Sequence, residues 1–454
     1  MKNTSFSRLA AFAACAALAL PARAQLLDYM PASAGGDIAG LQAAVLGGVD
    51  SLNDARKSPR LKFGGLTLQT YYNATETYDT NIFLAPTGGT PGALAPVRDS
   101  WIMDNNFGFK STYDISPRHK LDLAYDFTSL SYQGNGGSSQ ADPNANNAID
   151  QALSAGYTYT GPNGITAKLR DNYINTTDPA DTELIQRFHR WENMVGGEME
   201  YSPSHTAFVS VDAESQNDRY ITNDPQIRAL LDRVTETIGG RVGWYVAPKT
   251  KVFVAYHAQD MHFTDYTPAL AGGPARDNHS DTVSVGVEGK IAPKLTARAE
   301  TGYTYTSFDA PAQGTNSSIS RIWSFDGGLF YKPWEKTNVD LTANRGLVPA
   351  VLGANQFYVA TSGGLSITHR FPWNFTLGAN GSIERDDYQS PISINGATSN
   401  VFYGNAYLGG VVASYDITSY ASLTANEMYI SRFSDFAAYD YIDHRTSVTL
   451  TVRY

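Results

Sequence analysis

The stretch Thr282-Val283-Ser284-Val285-Gly286-Val287-Glu288-Gly289-Lys290-Ile291, the turn Ala292-Pro293-Lys294, and the continuation Leu295-Thr296-Ala297-Arg298-Ala299-Glu300 decide the reading of this chain. Val283, Val285, Val287, Gly289 and Ile291 alternate with Thr282, Ser284, Gly286, Glu288 and Lys290, the period of two that belongs to a strand with one apolar and one polar face. Beyond the proline the pattern resumes, with Leu295, Ala297, Ala299 and Tyr303 on one face and Thr296, Arg298, Glu300 and Thr304 on the other. If the apolar face meets lipid, a charge placed there would cost about 2–4 kcal/mol near midplane, so the charged face must look into a wet interior.

This unit is one of a series. Turns occur at 116–119, 161–164, 202–205, 247–250, 292–294, 332–335 and 371–374, each holding a proline, and Asp416-Ile417-Thr418-Ser419 fills the same slot without one. Proline presets φ for a tight turn and is excluded from central strands, so each turn separates two strands. Longer segments rich in Gly, Asn, Asp and Pro alternate with the turns, near 79–100, 133–147, 176–186, 217–231, 264–280, 308–318, 347–355, 387–399 and 434–441. Short turns on one side and long loops on the other is the asymmetry of outer-membrane barrels. A β-propeller repeats at a similar length, but four strands per blade would make each strand about half as long. Counting from a first strand near 61–77 gives an all-β transmembrane antiparallel barrel of about 18 strands, with 16 to 20 allowed because Val339–Arg345 reads as short. Tyr113, Tyr159, Tyr201, Tyr245, Tyr331 and Tyr415, near the turns, are expected to ring one interface.

The ends fit this picture. Lys2, Arg8, the apolar run Leu9–Leu20 and Ala22-Arg23-Ala24 read as a signal peptide over residues 1–24, its apolar run too short to cross a bilayer as a helix. The chain's one cysteine, Cys15, lies in it, which leaves no thiol chemistry beyond it. Residues 25–60 do not alternate. Ile38, Leu41, Val45, Val49 and Leu52 trace an amphipathic helix capped by Asp37, read as a lumen plug or a periplasmic contact. The barrel is assigned to 61–454. Its last strand, with Val448, Leu450, Val452 and Tyr454 on one face, resembles the C-terminal signal that the barrel-assembly machinery reads.

Composition excludes other classes. Without Lys2, Arg8 and Arg23, 31 of the 34 basic residues face 44 acidic ones, a net charge near −13, which argues against a nucleic-acid partner. Mean hydropathy is −0.29, and no later segment is long enough for a membrane helix. Strand by strand, the polar face collects Asp122, Asp126, Glu192, Glu198, Glu200, Asp212, Glu214, Glu288, Glu300, Asp326, Asp340 and Glu384, with Lys168, Arg170, Arg190, Arg241, Lys290, Arg298, Arg370, Arg445 and Arg453. Eighteen strands leave an aqueous channel. Arg190, Glu192, Arg241, Glu288, Arg298, Glu300, Asp326 and Arg370 are the candidate pore-lining residues, with Arg190, Arg241 and Arg298 placed near mid-strand opposite Glu192 and Glu300. A constriction that selects solute and an ion-pair lattice that stiffens the wall both fit them.

Nothing calls for a cofactor, a metal or catalysis. No phosphate-binding glycine loop, zinc helix or Gly-x-Ser-x-Gly elbow is present. A lipid hydrolase would have to use His369 or His444 with a neighbouring hydroxyl and a third orienting group. Asp142 with Asn144, Asn146 and Asn147 lacks the spacing of a calcium loop.

Tyr78-Asp79-Thr80-Asn81-Ile82-Phe83-Leu84, the Pro-centred turns and the aromatic C-terminus resemble the putative β-barrel porin 2 family over residues 60–454. The resemblance implies an outer-membrane barrel, in a Gram-negative envelope, linked with exopolysaccharide production and export, and it brings no catalytic residues. The expected function is a channel for hydrophilic solute or polysaccharide, with outer-membrane lipid as its surroundings. The alternative is a plugged accessory barrel of an envelope assembly.

Overall fold

A computed structural model of the protein describes residues 60–86, 97–134, 142–177, 187–204, 206–267, 275–310, 319–351, 355–388, 392–394, 397–399, 403–435 and 440–454. The leader, the helix expected at 37–52 and most of residues 25–60 lie outside them.

The alternating segments become strands β1 (Leu61–Phe63), β2 (Leu66–Asp79), β3 (Ser100–Ser116), β4 (His119–Gln133), β5 (Ala148–Thr160), β6 (Ile165–Thr176), β7 (Arg190–Tyr201), β8 (Ala207–Tyr220), β9 (Arg233–Ala247), β10 (Thr250–Phe263) and β11 (Asn278–Ala292). They continue as β12 (Leu295–Phe308), β13 (Ile319–Trp334), β14 (Thr337–Pro349), β15 (Phe357–Arg370), β16 (Phe375–Tyr388), β17 (Ile392–Ile394), β18 (Ala397–Ser399), β19 (Tyr403–Asp416), β20 (Ala421–Ser434) and β21 (Tyr441–Arg453). β17 and β18 form a small hairpin of their own. One seven-residue helix, α1 (Pro225–Leu231), capped by Asp224, lies between β8 and β9.

Each long strand pairs antiparallel with its neighbours in sequence, and β2 pairs with β21 as well as β3, which closes the sheet into a barrel of 18 spanning strands. Below the end of β21, β1 takes over the same edge of β2, with Leu61 opposite Leu68, so the first strand's lower backbone is not left unpaired. Following one residue from partner to partner round the wall returns to β2 displaced by more than that strand's own 14 residues, which tilts the strands. At a tilt of about 40° and a strand spacing of about 4.8 Å, the backbone cylinder is roughly 35 Å across. That is wide enough for water, and the charged faces need it.

Two local differences have plain causes. Val339–Arg345 belongs to β14, a full strand of 13 residues, because its lower part pairs with β13 and its whole length with β15. The tight turn after β9 is completed by Gly289 on the neighbouring strand, whose φ of +126° and close approach to Lys249 O leave no room for a Cβ.

Candidate functional site

The pairing register fixes which way each residue faces. Val283, Val285, Trp323, Leu329, Leu341, Leu365, Ile383, Val411, Leu423, Val448, Leu450 and Val452 are all exposed and lie on the outer face. Tyr113, Tyr201, Tyr331 and Tyr415 stand exposed near the turn side, with Trp244, Trp334 and Trp373 beside them. Tyr245 does not join that ring. It pairs with Lys251 while Trp244 pairs with the outward Val252, so Tyr245 points inward and its hydroxyl donates to Glu200 Oε1 at 3.2 Å.

Every acidic and basic residue assigned above to the polar face has inward register. The register brings many of them into one network across β6–β13. Arg241 Nη2 meets Glu198 Oε1 at 2.6 Å and its Nη1 lies 4.0 Å from Glu288; Lys168 reaches Glu198 at 3.4 Å, and Lys251 reaches Glu200 at 2.7 Å. Arg170 pairs with Glu214, Ser284 donates to Glu300, His257 lies 3.5 Å from Asp212, and Arg298 lies 3.8 Å from Asp326. Glu288, Arg298 and Asp326 are more than a third exposed, so this middle stretch faces water.

Arg190 and Arg370 are not part of it. Arg190 opens β7 at the loop end, where it bonds Glu192 at 2.5 Å and lies over the Tyr220 ring, so neither is mid-strand. Arg370 ends β15 at the turn end and pairs with Asp416 at 2.9 Å. Both guanidiniums are mostly shielded, which makes them rim clamps rather than lining of an open stretch.

The opposite arc carries few charges at mid-height. From β15 round to β2 the inward positions include Ser362, Gly364, Ser366, Asn380, Ser382, Gly410, Thr424, Asn426, Ser447, Thr449, Thr75 and Asn73. Thr75 and Thr449 share a hydrogen bond of 2.9 Å across the closing seam.

Three of the long loops pack onto the inner face at the loop end. Ile82 and Phe83 pack against Ile102, Leu130 and Tyr132, and Leu84 against Leu408, Met428, Ile430 and Tyr441. Val351, at the β14–β15 tip, packs with Tyr220 and with Leu230 and Leu231 of α1. Gln356 Nε2 donates to Ala275 O and Ala310 O. Asp232, between α1 and β9, accepts from Tyr220 N at 2.8 Å; burial raises its pKa, while that hydrogen bond and Arg219 oppose the shift.

The residues that suggested a family have a structural task. Asp79 bonds Arg445 at 3.1 Å, and Asn81 donates to Ile442 O and Ala85 O while accepting from Ala85 N. Thr80 exchanges hydrogen bonds with His444. The motif thereby pins the loop end of the first barrel strand to the last. Beneath it, Asp79, Asp104, Arg187, Asn426, Arg445 and Ser447 line a recess of about 170 Å³.

His369 and His444 both face outward. His369 meets Thr337 Oγ1 at 2.8 Å and His444 lies edge-on to Tyr429, and among the described residues neither has a carboxylate beside it. Asp142 caps a turn, accepting from Asn144 N at 3.0 Å. Among the described residues no group of His, Cys, Asp and Glu is arranged to hold a metal ion.

A closed antiparallel barrel of 18 spanning strands, apolar outside and hydrophilic within, is an outer-membrane protein of the porin type. The family described as Putative beta-barrel porin 2 matches residues 62–454, and the chain belongs to it. No curated protein matches the sequence. Among solved structures, similar folds include the FrpB iron transporter of Neisseria meningitidis, at 10% identity over 81% of this chain and with a TM-score of 0.42. This chain spans 62% of that transporter's length. Pseudomonas aeruginosa OpdK with vanillate is 9% identical over 85% of this chain and 99% of its own, TM-score 0.45. Acinetobacter baumannii OccAB4 is 10% identical over 88% and 100%, TM-score 0.44. Overlays this loose bear on neither solute nor gating.

Proposed function

We propose that the protein is an outer-membrane channel for uncharged, polyhydroxylated solutes, with exopolysaccharide among them, and not an enzyme. One observation carries this: the mid-lumen charges on β6–β13 pair with one another, while the facing arc presents mostly hydroxyls, amides and glycines. A lattice of cancelling charges exerts little net pull on an ion, whereas hydroxyls and amides can trade hydrogen bonds with sugar hydroxyls in water. Arg241, Glu288, Arg298, Glu300 and Asp326 are the lining residues in this reading. Val448, Leu450, Val452 and Tyr454 supply the signal to the assembly machinery, after export by the leader.

Purified protein should raise the conductance of a planar bilayer in discrete steps, and liposomes carrying it should admit neutral oligosaccharides faster than charged analogues of the same size. A sealed bilayer with folded protein, or preference for charged solutes, would overturn the proposal. The inward packing of Thr80–Ala85 and of Val351 favours a second reading, an accessory barrel held closed from the loop end. In that case shortening the β14–β15 tip would create conductance absent from the intact protein. A plug formed by residues 25–60 would instead yield on their deletion.

A further inference from the structure

The outer wall has a sharp upper border. On β11 the outward series Ile291, Gly289, Val287, Val285, Val283 gives way to Asp281, and on β16 Leu377, Ala379, Gly381, Ile383 gives way to Arg385. Roughly ten residues of a strand tilted by about 40° rise about 25 Å, the height of the lipid-facing band of such barrels. The outward charges therefore stand at the headgroup level of the outer leaflet. Round the wall one sector is mainly acidic, with Glu236, Asp260 and Asp281 on β9–β11 and His279 between the two aspartates, and another mainly basic, with Arg321, Arg345 and Arg385 on β13–β16 and Asp387 beside Arg385.

The basic sector has two further features. Arg345 lies over the ring of outward Trp323 at 4.8 Å and donates to Thr361, and Arg321, two residues along from Trp323, lies over Tyr305 at 5.6 Å. Among the described residues neither Arg321 nor Arg345 meets a carboxylate, whereas Arg385 bonds Asp387 at 2.8 Å. The wall also parts at this point. The β13–β14 ladder stops at Phe325 opposite Arg345, although β13 goes on pairing with β12 to Ile319 and β14 with β15 to Pro349. Two guanidiniums with fixed aromatic backing thus flank a notch in the wall at headgroup height.

We infer that Arg321 and Arg345 bind a phosphate of the phosphorylated glycolipid of the outer leaflet, with Trp323 seated against its sugar and Arg385 adding charge at the edge. Guanidinium matches phosphate through paired N–H donors, and an aromatic face beside it suits a sugar ring. The acidic sector on β9–β11 repels the same headgroup, so the lipid is oriented to one side of the barrel. This site is independent of what crosses the lumen.

The test is native mass spectrometry of the detergent-solubilised barrel titrated with bis-phosphorylated lipid A and with its dephosphorylated form. Arg321→Gln with Arg345→Gln should weaken binding of the phosphorylated lipid by about tenfold, the loss of one to two charge-assisted contacts. It should leave the dephosphorylated lipid, which binds more weakly, unchanged. Arg345→Lys, which keeps the charge but loses the paired donors and the flat face over Trp323, should recover only part of the affinity lost by Arg345→Gln, and Asp260→Asn with Asp281→Asn should not reduce it. A barrel shown folded by its heat-dependent gel mobility that binds both lipids equally, or a double variant of unchanged affinity, would overturn the inference. Should the double variant not fold, Arg321→Gln alone, at an exposed position, carries the same expectation at several-fold loss.

Discussion

Asn81→Ala is expected to loosen the barrel at its closing seam. Asn81 is completely buried and its amide makes three hydrogen bonds, to Ala85 O at 2.9 Å, to Ile442 O at 3.0 Å and from Ala85 N at 2.9 Å. Alanine removes them all and strands buried backbone groups on two segments. At about 1 kcal/mol per bond, with a further penalty for each polar group left without a partner, the loss should be about 3–5 kcal/mol. Urea unfolding of the barrel in phospholipid vesicles measures this directly. Hydrogen exchange should quicken first in residues 441–445 and 77–85, since Asn81 and Thr80 extend the join between them beyond the Asp79–Arg445 pair. A loss below about 1 kcal/mol, or exchange spread evenly round the wall, would refute the view that the motif locks the first strand to the last.

Further expectations follow from the two faces of the wall. Leu365→Arg, on the lipid side of mid-β15, should cost about 2–4 kcal/mol in the same unfolding assay, whereas Ser366→Arg, its inward neighbour, should cost far less; equal costs would contradict the assignment of faces. Arg241→Ala leaves Glu198 and Glu288 without their shared partner, so the reversal potential across a salt gradient should move toward cation preference; an unmoved potential would remove Arg241 from the conducting path. Gly289→Ala forces a side chain into a φ of +126° against Lys249 O and should destabilise the barrel by at least about 1–3 kcal/mol, read by unfolding. Leu450→Asp should leave the chain exported but unassembled, visible as loss of the heat-shifted band on a gel.

The fold was legible because its main signal is periodic. Turn counting gave 18 strands, and strict alternation put Glu288, Arg298 and Asp326 on the wet side without knowledge of any partner. What failed to read correctly is what periodicity does not encode. Tyr245 and Trp244 are adjacent aromatics, and only pairing with Val252 shows which of them meets lipid. Arg190 was assigned the right face but the wrong height, since height depends on strand ends, which proline-marked turns locate on one side only; Arg370, also on the right face, stands at the turn end beside Pro372. The inward packing of Ile82, Leu84 and Val351 has no repeating pattern at all; the sole hint was that a loop should carry large apolar residues. Outward charges such as Arg345, Asp171 and Glu427 also escaped the rule that charge faces inward, because the rule is strict at the bilayer centre and relaxes towards the headgroups.

The central claim is a wall with lipid on one side and water on the other, and single cysteines test it most directly, since Cys15 is the only native one and can be replaced. In vesicles, Thr282→Cys and Arg298→Cys should react with a membrane-impermeant maleimide, while Val283→Cys and Val285→Cys should stay protected until detergent is added. Equal labelling of all four, or protection of the first pair and labelling of the second, would contradict the account.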